Sequence, residues 1–254
     1  MKTIVLNSFL EIKEFHVNAV TNNGVFYRGT KFDHILPSLI PKNNYLNNIQ
    51  LANVENKLLD EFKIFYSESI DEEPILQDWI YRIKAREHEL ASRLIDWSND
   101  FKVALNFATS NVSHNSANLY VYLWSLQIEP IDFLHLKEYP FNQLTKSIFI
   151  PATMPARLSY LMASHRQFIQ GGNFLVQPTA QFTIPLNTQS EFIDKLTCIK
   201  IPIAAVDDIR NDMLKSGEDI RKPLMINEHN ILDKICKWLN QKYLYSLNDF
   251  LNLK

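Results

Sequence analysis

Residues 119–128, LYVYLWSLQI, constrain the fold more than any other part of the chain. The run is dense in aromatic and β-branched residues and follows turn formers, the pattern of a strand buried on both faces. Such a strand needs a sheet with material packed on either side of it. Further strands are expected at Val25–Tyr27, at NFLVQP and QFTIPL on either side of Pro178, and at LTCIKIPI from Leu196. Helical spacing is expected elsewhere. Asn7-Ser8 caps a helix bearing Phe9, Ile12, Phe15 and Ala19, and residues 50–87 repeat the same period, with Pro74 opening a second helix. Residues 156–170, VDDIRNDMLKSG and HNILDKICKWLNQKYL read as helices too. This order of elements does not alternate as a doubly wound fold requires, so the expected class is α+β: a single domain over 1–254 with a small, strongly bent mixed sheet surrounded by helices. With 5 glycines and no low-complexity tract, no linker divides the chain.

Composition excludes more than it selects. A formal net charge of −2 gives no global basic surface for nucleic acid. Cys198 and Cys236 are too few and too far apart for a disulfide framework or a zinc knuckle, and no metal site is expected. Glu11 and Glu14 interrupt the start too early for a signal peptide, and no apolar run reaches the roughly 20 residues of a membrane span. A cytoplasmic protein without membrane contact is the expectation. There is no G-x-G-x-x-G, P-loop or H-E-x-x-H pattern.

Two stretches are dense in chemistry. The first, VFYRGTKFDHILPSL (25–39), ends a short apolar strand on Arg28, whose guanidinium needs an anion: a structural carboxylate or a ligand phosphate. The second, EHELASRLIDWSND (87–100), gathers His88, Arg93, Asp96 and Trp97 just before a helix with Val103, Ala104, Phe107 and Ala108 on its apolar face. Ser98, Asn99 or Asp100 caps that helix, and its N-terminus would favour an anion near Arg93 and Ser98. The alternative is a buried ionic network containing Arg93 and Asp96.

These motifs resemble the FRG-domain family. The Phe-Arg-Gly signature reads Tyr27-Arg28-Gly29, and Ile35-Leu36-Pro37-Ser38-Leu39 is close to L-x-P-S-L. Ser92-Arg93-Leu94-Ile95-Asp96-Trp97-Ser98 is similar to T-R-L-L-D-W-T, Val103 to Ala108 to V-A-L-x-F-A, and Arg166, Gln170, Gly172 and Phe174 to R-x-x-x-Q-x-G-x-F. The resemblance covers residues 24–174. It departs at Arg86-Glu87-His88-Glu89-Leu90-Ala91, where the family has Q-H-H-G-L-P, and in the tail. The motif order is also similar, more distantly, to ADP-ribosyltransferases. That second resemblance implies an NAD site in which Arg28 holds the pyrophosphate, Ser92 or Ser98 the ribose, and Tyr27 or Trp97 stacks on nicotinamide. Gly29 and Arg93 would complete it. Arg28, Ser92, Asp96 and Gln170 would be the catalytic set, with Asp96 or Glu89 supplying the charge that the neutral Gln170 lacks. Three functions fit: a transferase of the toxin or phage-defence type modifying a macromolecule, a non-enzymatic nucleotide-binding regulatory module, and a nuclease or toxin acting on RNA.

Overall fold

The computed structural model describes residues 1–19, 24–39, 46–66, 70–110, 112, 118–151, 171–181, 183–217 and 231–245. Seven strands form one mixed sheet: β1 (Lys2–Val5), β2 (Val25–Thr30), β3 (Leu94–Ser98), β4 (Tyr120–Gln127), β5 (Ile148–Ile150), β6 (Gly172–Val176) and β7 (Leu196–Pro202). Their order across the sheet is β1-β7-β4-β2-β3-β6-β5, antiparallel throughout except for the parallel pair β1 and β7. The helices are α1 (Phe9–Ala19), α2 (Asn48–Phe65), α3 (Pro74–Glu87), α4 (Phe101–Thr109), α5 (Ser190–Ile193), α6 (Val206–Lys215) and α7 (Ile231–Asn240). Mixed α and β elements around one sheet are the class expected.

Local chemistry explains the helix starts. Ser8 Oγ accepts from the Glu11 N–H (3.2 Å), while the Glu11 carboxylate accepts from the Asn7 N–H (2.6 Å), a reciprocal cap on α1. Asn47 and Gln50 repeat that arrangement on α2, and the Glu73 side chain caps α3 just before Pro74.

The sheet is long in one half and hinged at a narrow joint. Six residue pairs join β2 to β4, but among the described residues β2 meets β3 at the single pair Tyr27 and Ser98. The two halves fold over each other at that joint. Phe26, Trp124, Leu126 and Cys198 from one half share a core with Ile95, Trp97, Leu175 and Phe149 from the other, and the Phe26 and Phe149 rings lie 4.3 Å apart although Phe149 is on the far edge strand. The outer faces are covered separately. α1, α4 and α6 pack on Tyr27, Val121, Leu123, Ile199 and Ile201, while α3 packs on Leu94, Phe174, Val176 and Ile150. β4 is therefore buried on both faces, with Val121 and Leu123 in one core and Trp124 and Leu126 in the other.

Some expectations change. QFTIPL is not a strand: Gln181, Thr183 and Ile184 lie in turns, and a 3-10 turn follows at Leu186–Thr188. Pro178 and Pro185 offer no ladder N–H, and Leu186 gives its own to the Ile35 carbonyl (2.9 Å). β1 and β5 carry weak signals because one is a largely exposed edge and the other three residues long. The helix expected at 156–170 lies outside the described residues.

Candidate functional site

The joint between the sheet halves opens into a cleft of about 450 Å³, lined by β2, β3, β6, α4 and the end of α3. Arg28 stands where β2 leaves β3. Its Nη1 donates to the Asp96 carbonyl (2.6 Å), an acceptor that a continuous ladder would have used, and lies 3.7 Å from the Asp96 carboxylate. Arg86, at the end of α3, clamps the same carboxylate from the other side: Nε donates to Oδ1 (3.0 Å) and Nη2 to Oδ2 (2.5 Å). One carboxylate thus serves two guanidiniums.

Electrostatics follows from that geometry. Burial works to raise the Asp96 pKa, but Arg86 and then Arg28 outweigh it and hold the carboxyl below its ordinary value. Arg86 is pushed the other way. Burial opposes its charge, and the Asp96 carboxylate, with a smaller part from Glu89, more than restores it. Arg86 Nη1 also donates to Ser38 Oγ (3.1 Å), which ties the 35–39 segment to the cleft. Arg28 is less fully engaged: its Nη2 makes no hydrogen bond among the described residues, and its Nε lacks an acceptor there as well.

Several expected site residues reach the cleft and others do not. Arg28, Gly29, Asp96, Trp97, Ser98 and Tyr27 line it. The Tyr27 and Trp97 rings, however, are 1 % and 2 % exposed and packed in cores, so neither face is open for stacking. The Tyr27 hydroxyl bonds His16 Nδ1 (2.8 Å), and burial drives its pKa far above the usual phenol value. Gly29 answers to packing: a Cβ there would sit 1.9 Å from the Ala104 carbonyl oxygen, because α4 crosses directly over β2. Ser98 Oγ accepts from the Asp100 N–H (3.0 Å), and the Asp100 carboxylate caps α4 at Lys102 N, so the helix N-terminus already has its anion.

Ser92 and Arg93 lie away from the cleft. Arg93 is fully buried, with Nε on Glu55 Oε2 (2.7 Å), Nη1 on Thr179 and Nη2 on Asn142, and its guanidinium stacks 4.2 Å from the Phe141 ring centre. The ionic-network alternative is the one realised for Arg93. Ser92 exchanges hydrogen bonds with Ser38. Gln170, with Arg166, lies outside the described residues.

Sequence reasoning missed Arg86, Ser38 and Phe107. Arg86 pairs with a residue ten positions on, a spacing with meaning only once the turn after α3 is known. Phe107 was counted on the apolar face of α4, yet it is 45 % exposed and lines the cleft. Glu89 also lines it, and it is the non-glycine residue with positive φ (65°) among the described residues. Holding a side chain there costs about 1 kcal/mol or more.

The FRG domain family model matches residues 23–117. The chain carries an FRG domain. The matched span contains Tyr27-Arg28-Gly29, the Ser38 segment, Asp96 and α4, so the arginine of the FRG motif and the aspartate of the later motif are the two residues that meet across the joint. Glu89 stands where the Q-H-H-G-L-P pattern that this stretch resembles has glycine, and in this chain it keeps a left-handed backbone without a glycine to ease it. No curated protein and no solved structure matches the chain.

Proposed function

We propose that the cleft of this FRG domain binds an anionic, nucleotide-like ligand, with NAD the leading candidate. The observation that carries the reading is Arg28: Asp96, itself clamped by Arg86, fixes its guanidinium at the strand joint, while Nη2 has no hydrogen-bond partner among the described residues, in a cleft that also presents an exposed aromatic face at Phe107. A phosphate oxygen suits the open Nη2, and a planar base or nicotinamide suits Phe107. Asp96 serves as a positioning residue that keeps Arg28 from swinging away. The order of motifs, which resembles that of ADP-ribosyltransferases, supports transfer of ADP-ribose to a macromolecule as the reaction such a pose would serve.

A second reading is a binding module without transfer. Asp96 favours it, because a carboxylate neutralised by two guanidiniums gives little support to the positive charge that develops on a ribose losing nicotinamide. Calorimetric titration of NAD, ADP-ribose and ATP into wild type and Arg28→Lys, with mass-spectrometric detection of nicotinamide, tests both. Binding weakened about tenfold or more in Arg28→Lys is expected, since lysine keeps the charge and loses the fork. Nicotinamide release selects the transferase; binding without release selects the module. Absence of any nucleotide binding to wild type contradicts both.

A further inference from the structure

We propose that Asn240 is a positioning residue for the cleft: from α7 it holds the turn that ends α3, and through that turn it sets Arg86 on Asp96 and so the pose of Arg28. This rests on the nucleotide reading above and adds what keeps its site in a binding-competent shape. α3 closes in a Schellman motif. The Glu89 N–H donates to the Arg86 carbonyl (2.9 Å) and the Leu90 N–H to the Ala85 carbonyl (2.9 Å), while Leu90 and Ala85 share a core. The pivot of such a motif needs positive φ and is usually glycine; here it is Glu89, at 65°. Arg86 belongs to the last turn that the motif closes. A turn that relaxes at Glu89 therefore frays α3 at the residue that grips Asp96.

α7 supplies what the absent glycine does not. Asn240 Nδ2 donates to the Glu89 carbonyl (2.9 Å), and Asn240 Oδ1 accepts from the Ala91 N–H (2.8 Å). An amide side chain offers one donor group and one acceptor, which is what a carbonyl and an N–H two residues apart require. The same helix is hydrogen-bonded to the turn again through Asp233 and His88 (2.7 Å), and its Cys236 and Leu239 share a core with Leu90 and Ala91. Backbone strain persists where its surroundings hold it in this way.

The rest of the path is a chain of contacts. Arg86 places Nε and Nη2 on the Asp96 carboxylate and Nη1 on Ser38, and Asp96 meets Arg28 through its carbonyl (2.6 Å) and its carboxylate (3.7 Å). Asn240, outside the span that the FRG domain model matches, thus acts on the arginine inside it. Without the amide, the cost of a side chain at positive φ corresponds to about a fivefold loss of the competent turn.

Asn240→Ala, made on the wild-type and on the Glu89→Gly background, separates holding the pivot from fastening the helix, because glycine takes positive φ unaided. Two readouts are needed: NMR titration of the Asp96 side-chain carboxyl, which requires no ligand, and calorimetric titration of ADP-ribose into the full chain. In wild type the Asp96 carboxyl titrates below its ordinary value. Asn240→Ala should bring it toward that value and weaken ADP-ribose binding about fivefold. On the Glu89→Gly background the same substitution should barely move the Asp96 midpoint and cost less than about twofold in affinity. An Asp96 midpoint that Asn240→Ala leaves in place, or an equal shift on both backgrounds, overturns the proposal and leaves the nucleotide reading standing. If wild type binds no ADP-ribose, that reading falls, and the Asp96 titration still decides whether Asn240 sets the clamp.

Discussion

At the scale of single residues, the two arginines of the chemistry-dense stretches have opposite roles. Arg93 is sealed against Glu55, with side-chain exposures of 0 % and 3 %, whereas Arg28 and Asp96 keep 22 % and 43 %. Glu55→Ala should therefore lower stability by about 3–5 kcal/mol in denaturant titration, because it strands a buried guanidinium. Asp96→Asn should act through pH. The depressed Asp96 pKa contributes stability that is present above the unfolded value, near 3.9, and is lost as pH falls through the folded one. Melting temperatures should show the variant below wild type at pH 7, the gap closing as pH drops below about 4. A gap that does not depend on pH would contradict the charged triad. Neither local pattern names the partner, since the difference in role lies in partners 38 and 68 positions away.

At the scale of elements, the most legible features were those with local causes: caps, helical periods, and the doubly buried β4. The strand joint was not legible, because whether β2 and β3 pair along their length or part after one residue depends on α4 crossing above them. Gly29 records that crossing. Gly29→Ala would place a methyl group 1.9 Å from the Ala104 carbonyl oxygen and 2.5 Å from Ala108 N, both backbone atoms. The substitution should cost about 3 kcal/mol or more and widen the joint. A melting temperature equal to wild type would show that α4 does not rest on β2 as described. The false strand at QFTIPL has an equally local lesson, since Pro185 within it and Pro178 just before it already argued for a turn.

At the scale of the whole molecule, the fold places the free cysteines where they report on its integrity. Burial drives the Cys198 thiol up to about 11 and the Cys236 thiol up to about 12, and both lie within cores, Cys198 between the sheet halves and Cys236 between α7 and its neighbours. Both should resist a thiol reagent at pH 8 until the chain unfolds, and label together in denaturant. Among the described residues no helix is long and apolar enough to cross a membrane. The α+β class and the bent sheet were readable from the order of elements, but the site emerged only once β2 and β3 were seen as neighbours that part beyond one pair and set Arg28 against Asp96. The most direct measurement of the central claim is a crystal structure of the protein soaked with ADP-ribose. The account predicts the pyrophosphate on Arg28 Nη2 and the Arg86–Asp96 clamp intact; a ligand bound elsewhere, or a cleft left empty at saturating ADP-ribose, would contradict it.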